Sequence, residues 1–212
     1  MIKHQDQSGF TILELMIATT LFTVILLLCT AGLIRIGSIY YKGVVTSRTQ
    51  SVARTISDDI TQAIQYGGQD IQSTAPPLVN YNGGSSMVDI GDRRYEYVLG
   101  RVLVDGTPSA LQTSYAMRST TIDGNHNVVA GQTPRELMNT NMWLSRLDVS
   151  NNGGVYQVRV QVVSGDQDLI EDQDGNDFGQ AGFDINSLRC KAETGNEFCA
   201  VSGLYTEVVR RL

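Results

Sequence analysis

From Leu15 to Ile34 the chain runs for 20 residues without a charge, apolar on every side of a helix rather than on one. At about 1.5 Å of rise per residue, a helix of that length matches a hydrocarbon core of roughly 30 Å. Thr19, Thr20, Thr23 and Thr30 fall inside the run, where their hydroxyls are tolerated by bonding to the helix's own carbonyls. A core helix of a soluble domain would show a single apolar stripe instead. The pattern changes after Arg35. Between Tyr40 and Tyr66 there is no Pro, and Val45, Val52, Ile56, Ile60, Ala63 and Ile64 recur at spacings of three, four and seven. That is one face of an amphipathic helix, with Arg48, Arg54, Asp58, Asp59 and Gln62 assigned mostly to the other side. Gly67-Gly68 supplies a stop. One helix is therefore expected from about Phe10 to Tyr66, membrane-spanning over residues 10–36 and amphipathic over 37–66.

Residues 67–212 read as a β-rich globular domain. Gln69 to Ser86 is loop-like, broken by Ala75-Pro76-Pro77 and Asn82-Gly83-Gly84. Strands are expected at Tyr95–Val104, at Trp143–Val149 and Val155–Val163 around the turn Asn151-Asn152-Gly153-Gly154, and at Leu204–Val209. Tyr156, Val158, Val160 and Val162 alternate with Gln157, Arg159 and Gln161, so one face of that strand is buried and the other wet. The segment Thr107–Asn141 gives no clear pattern. An antiparallel sheet packed on the apolar face of the long helix makes an α+β fold.

The net charge of −6 has a local source. Asp166, Asp168, Glu171, Asp172, Asp174 and Asp177 lie together with no base among them. There is no basic patch of the kind that binds nucleic acid. Only two histidines are present, His4 and His126, which disfavours a histidine triad or a zinc site. No phosphate-binding loop, dinucleotide fingerprint, nucleophile elbow or C-x-x-C is found, and no enzymatic activity, cofactor or metal is expected. His126, in Gly124-Asn125-His126-Asn127, reads as a solvated loop residue. The acidic stretch invites a calcium reading, but setting Gly175 at position six of an EF-hand loop puts Ile170 at one and Ala181 at twelve, so the register fails at both ends. A solvated acidic loop is the preferred reading. Cys190 and Cys199 are expected to pair in a disulfide if the domain lies outside the cytoplasm and to stay as thiols in a reducing compartment. Cys29, within the apolar run, reads as a small inert hydrophobe.

The apolar run is preceded by Gly9-Phe10-Thr11-Ile12-Leu13-Glu14. A carboxylate in hydrocarbon costs on the order of 2.5–3.5 kcal/mol on insertion scales, so Glu14 calls for a partner. A new α-amino group at Phe10, made by a cut after Gly9, would provide one. The run is too long for a secretory h-region of about 7–15 residues, and no A-x-A-like site closes it. The small-residue junction lies ahead of the run, so a cut there removes residues 1–9 as a leader and keeps the helix. Charge flanks point the other way. Lys3 and Asp6 precede the run and Arg35, Lys42 and Arg48 follow it, which on a positive-inside count puts the C-terminal part inside the cell.

With the Gly9/Phe10 junction, Glu14 and the long helix assembled, residues 1–66 resemble the type IV prepilins and pseudopilins. The resemblance implies that a membrane-bound prepilin peptidase cuts after Gly9 and methylates the amine of Phe10, and that Glu14 aligns the subunit with a neighbour in a growing filament. It places the C-terminal domain outside the cytoplasmic membrane and later in a pilus or pseudopilus. The implied partners are the peptidase, other pilin or pseudopilin subunits, the inner-membrane assembly platform and the lipid bilayer. Many major pilins have a Pro within the membrane helix, where this chain has Ala31-Gly32. Gly32 and Gly37 loosen the helix by about 1 kcal/mol each relative to Ala without enforcing a kink. The segment 51–63, Ser-Val-Ala-Arg-Thr-Ile-Ser-Asp-Asp-Ile-Thr-Gln-Ala, is similar to the helix end of J/W-type minor subunits. Glu14 separates the chain from the tip class that lacks this acid. The function implied is that of a structural subunit, minor rather than major, of a type IV pilus or a related secretion or DNA-uptake filament. The other reading is a membrane-anchored extracellular binding module or adhesin.

Overall fold

The computed structural model describes residues 11–67, 71–74, 86–100, 116–139, 141–192 and 195–211. Residues up to Tyr40 make one compact unit and those from Tyr41 onward a second. Helix α1 (Ile12–Tyr66) runs through both. Gly32 and Gly37 sit in it with open space where a side chain would be, and neither interrupts the helical hydrogen bonding.

In the second unit α1 buries Thr49, Val52, Ala53, Ile56, Ser57, Asp59, Ile60, Ala63 and Ile64. The expected apolar face is therefore the core face, except that Val45 is only half-buried. Asp59 corrects the reading that put it on the wet side. It is 6% exposed, because the 100° step of a helix places it beside Ile56, Ile60 and Ala63. The sheet provides partners that make its burial tolerable.

Two main antiparallel sheets supply the rest of the core, where a single sheet was expected. The first has five strands in sequential order: β1 (Gln72–Thr74), β2 (Ser86–Ile90), β3 (Arg93–Tyr97), β4 (Met117–Thr121) and β5 (Arg135–Glu136). Its core face carries Val88, Ile90, Tyr95, Tyr97 and Met117. The second is β6 (Met142–Asn152), β7 (Val155–Ser164) and β10 (Ala200–Val209), with β7 in the middle. A short pair, β8 (Ile170–Glu171) and β9 (Arg189–Cys190), stands apart.

The hairpin at Asn151-Asn152-Gly153-Gly154 forms where the turn residues place it. Asn152 pairs with Val155, and Gly153 and Gly154 both take positive φ, 62° and 91°, which a two-residue turn matched to strand twist demands. On β7, Tyr156, Val158, Val160 and Val162 are buried, and the alternation breaks only at its end, where Val163 and Ser164 are also covered.

Other boundaries differ. The strand expected from Tyr95 begins at Arg93 and ends at Tyr97. Residues 101–104 of that segment lie outside the described residues. Leu99 forms a parallel bridge to Leu144, linking the two sheets. The last strand begins at Ala200 rather than Leu204, since Ala200 to Gly203 continue the β7 register despite weak strand propensity. In the expected loop after Gly68, Gln72–Thr74 pairs with β2, while Ala75-Pro76-Pro77 and Asn82-Gly83-Gly84 lie outside the described residues. Within the unassigned middle, β4 and β5 appear.

The end of α1 meets the β2–β3 turn backbone to backbone. The Gly67 N–H closes the last helical turn on the Ala63 carbonyl at 2.9 Å. A Cβ added at Gly67 would lie 2.2 Å from the Gly91 Cα, and one added at Gly91, where φ is +60°, 2.5 Å from the Ala63 carbonyl oxygen. Gly67→Ala should therefore destabilise the domain by roughly 1–3 kcal/mol through forced backbone displacement. Thermal unfolding followed by circular dichroism in detergent measures it, and an unchanged midpoint would contradict the close approach.

Candidate functional site

Gly9 and Phe10 lie outside the described residues, and the described part of the site begins at Thr11. Thr11 stands just before the helix, and its Oγ1 accepts the N–H of Glu14 at 3.3 Å. Its carbonyl accepts the N–H groups of Glu14 and Leu15 at 3.1 and 3.2 Å. Thr11-Ile12-Leu13-Glu14 thus has the spacing of a capping box, with Thr11 as N-cap and Glu14 at the third helical position. The sequence carried this signal in its Thr-x-x-Glu pattern, and the reading of Glu14 as an isolated acid overlooked it. An acid in the first turn also faces the positive end of the helix dipole, worth about 0.3–1 kcal/mol. Glu14 is exposed, and among the described residues its carboxylate has no bonded partner.

The helix after Glu14 meets the requirements of a lipid-facing surface. It is long and apolar enough to cross a membrane, with a mean hydropathy of 2.4 over its most apolar window. Thr19 donates to the Met16 carbonyl at 3.0 Å, Thr20 to Ile17 at 2.8 Å and Thr30 to Leu26 at 2.8 Å, and Thr23 donates to Thr19. Every hydroxyl of the run is satisfied on its own helix, as an apolar surrounding requires. Cys29 is exposed on the same surface as a free thiol.

In the second unit, charged groups fix α1 to the five-stranded sheet. Arg93 pairs with the Asp59 carboxylate, Arg135 reaches it at 3.2 Å, and Tyr95 donates its hydroxyl to it at 2.9 Å. Burial first, then the neighbouring Asp59 carboxylate, pushes the Tyr95 hydroxyl far above its ordinary pKa. On the side of the three-stranded sheet, the Ser57 and Thr206 hydroxyls lie 3.2 Å apart, the Arg211 N–H bonds the Gln65 carbonyl at 3.2 Å, and Lys42 donates to the Cys199 carbonyl, just ahead of β10, at 2.8 Å.

His126, Asp172 and the Cys190–Cys199 pair lie elsewhere in this unit and do not join a common site. His126 is not a freely solvated loop side chain. Its Nδ1 lies 3.1 Å from Asp89, which also takes two 2.8 Å bonds from Arg94. Burial would raise the Asp89 pKa, but the bonds and charge of Arg94 and then His126 outweigh it and hold the carboxyl below its ordinary value.

Asp172 is likewise no solvated acid. It is completely buried. Its Oδ1 accepts the N–H groups of Asp174 and Asn176 at 3.0 and 2.8 Å, and its Oδ2 accepts the Asn176 amide and the Asp184 N–H at 2.9 and 3.1 Å. The acid-rich stretch is tied around one carboxylate whose oxygens are both occupied by nitrogen donors. Periodicity could not show this, because the donors belong to a loop whose path has no repeat.

Cys190 and Cys199 are joined in a disulfide with Cα atoms 5.8 Å apart. Beside it, Val45, Arg48, Asn139, Asn141, Met142, Ser164, Asp166 and Phe198 line an open cleft of about 520 Å³. Among the described residues no group of His, Cys, Asp and Glu is placed to hold a metal ion.

Fold and site together define an α+β protein whose capped N-terminal helix is long and apolar enough to cross a membrane and continues into a two-sheet domain. Comparison with protein families narrows the class: the chain carries the prokaryotic N-terminal methylation motif over residues 4–30, consistent with a type IV prepilin or pseudopilin. That match spans the Gly9/Phe10 junction, Glu14 and most of the apolar run, and leaves the globular domain unmatched. No curated protein and no solved structure matches the chain.

The Asp172 knot has a definite acid sensitivity. The Asn176 side-chain amide, followed by the backbone N–H groups of Asn176, Asp184 and Asp174, lowers its pKa from 3.8 to about 2 against the opposing effect of burial. A depressed folded-state value means the contribution to stability is complete above 3.8 and is lost as pH falls through about 2. Phe178, from the same loop, stacks edge-on at 5.4 Å on Trp143, the single tryptophan. Its emission should therefore change reversibly between those two pH values, and Asp172→Asn should show the loosened spectrum already at pH 7. An Asp172→Asn spectrum identical to the parent's would refute the knot.

Proposed function

We propose that this chain is a structural subunit, minor rather than major and of J/W-like character, of a type IV pilus or a related secretion or DNA-uptake filament. The observation that carries the reading is the methylation motif over residues 4–30, coinciding with a helix whose apolar stretch is exposed on all sides. Such a surface needs lipid before assembly and other helices after it. In this reading prepilin peptidase cuts after Gly9 and methylates Phe10, and residues 1–9 are discarded. The chain performs no chemistry of its own. Its domain lies outside the cytoplasmic membrane, where Cys190 and Cys199 can oxidise.

Glu14 is the assembly contact in this proposal. A methylated secondary amine stays protonated, so the N-terminus of one subunit can neutralise the Glu14 carboxylate of a neighbour. Pairing then leaves neither charge bare among packed helices. The capping geometry supports the role: Glu14 is fixed in the first turn by its own backbone, while its carboxylate remains available.

Mass spectrometry of the mature protein should find a chain beginning at methylated Phe10. An intact leader would instead favour a membrane-anchored binding module, for which the cleft lined by Arg48, Asp166 and Phe198 is the candidate surface. Glu14→Ala should still insert and be cleaved, yet be incorporated into filaments at least about tenfold less well, a loss of roughly 1.4 kcal/mol or more of contact free energy. Normal incorporation of that variant would remove Glu14 from the assembly contact.

A further inference from the structure

Lys42 lies on α1 within the second unit and is partly buried. Its ammonium donates to the Asn196 carbonyl at 2.9 Å, to the Asn196 side-chain oxygen and to the Cys199 carbonyl at 2.8 Å. All three acceptors come from the short turn Gly195–Cys199. Next to them the Phe198 ring, 53% exposed, lies 6.0 Å from the ring of Tyr41. Burial pulls the Lys42 pKa below its ordinary value, with nearby Glu197 opposing the shift, so the ammonium gives up water for these oxygens.

The turn has few means of holding that shape alone. Its internal bonds are Phe198 N–H to the Gly195 carbonyl at 2.9 Å and Cys199 N–H to the Asn196 carbonyl at 3.2 Å. Its last residue, Cys199, leads directly into β10 and carries the disulfide to Cys190, which pairs with Ile170 in the β8–β9 ladder, so the cross-link closes the loop that contains the turn. Three oxygens are gathered on one ammonium at lower entropic cost when the turn is already confined, and a cross-link that closes the 190–199 loop confines it.

We propose that the disulfide makes the Gly195–Cys199 turn a redox-conditional clasp on α1: joined to Cys190, it captures the Lys42 ammonium, and reduced, it releases it. Reduction is a two-electron exchange. A dithiol attacks the half-buried Cys190 sulfur, the S–S bond breaks, and closure of the mixed disulfide leaves two protein thiols and an oxidised, cyclic reductant. The clasp thus distinguishes a chain that has reached an oxidising compartment from one that has not. It requires nothing of filament assembly and stands or falls separately from it.

Hydrogen exchange on the full-length chain in detergent micelles tests this. Treatment with dithiothreitol should raise exchange across residues 42–49 by about tenfold while leaving residues 56–64 unchanged, the mark of a local opening. Lys42→Met should raise it to the same level with the disulfide intact, and adding dithiothreitol to that variant should change nothing further at 42–49. Asn196→Ala, which removes one acceptor and keeps the bond, should raise it partway. The clasp is overturned if reduction leaves 42–49 protected, if it opens 56–64 and β7 to the same degree, if its effect simply multiplies that of Lys42→Met, or if Asn196→Ala matches the parent.

Discussion

The folded domain depends on one face of α1 that must satisfy two sheets at once. Ala53, Ile56, Ile60 and Ala63 give it a close-packed apolar surface, but Asp59 sits among them and gives the face a direction. Asp59 is buried while Arg93 and Arg135 are partly exposed, so the ion pairs add little to net stability, whereas an Asp59 carboxylate left without them would carry the cost of an unpaired buried charge. The contribution of Asp59 is therefore one of specificity. With Arg93, Arg135 and Tyr95 arranged around it, the five-stranded sheet meets the helix in one register. The second sheet is joined to the same helix through the Ser57 and Thr206 hydroxyls, a backbone bond at Gln65 and the Lys42 ammonium at Cys199.

Three carboxylates show how differently one chain can manage the same charge. Asp172 is wrapped by N–H donors from its own loop and needs no cation. Asp59 relies on side chains from distant strands. Glu14 uses its backbone to complete a helix cap, and its side chain is left without a partner among the described residues. Local donors make a loop and distant donors make a fold.

Legibility in the sequence followed the range of the interactions involved. The apolar run, the buried face of α1, the alternation of β7 and the Gly153-Gly154 turn all follow from neighbours within a few residues, and periodicity finds such patterns. The methylation motif is equally local. The partners of Asp59, the His126–Asp89 contact and the hold of Asn196 on Lys42 join residues 34 to 154 positions apart, and the splitting of the strands into two sheets is likewise a matter of distant pairing, which no window reports. Asp172 is an instructive case between these. Its donors are close in sequence, yet they act through an irregular loop, so an acid-rich composition suggested solvent where the chain had built a buried knot. The Thr11 cap could have been read from Thr-x-x-Glu and was obscured by the membrane problem that Glu14 posed.

The inward-turned threonines of the apolar run have a consequence for how such helices can be moved. Each hydroxyl hydrogen of Thr19, Thr20, Thr23 and Thr30 is committed to a carbonyl of its own helix, so the flank offers neighbours no hydroxyl donor, and only the weak S–H of Cys29, with which to lock a lateral register. Contacts along that flank are van der Waals contacts, similar in strength at many axial offsets and little different whether the neighbour is lipid or protein. A helix with such a surface behaves as a low-friction shaft that can slide out of one apolar surrounding and into another without breaking polar bonds on the way.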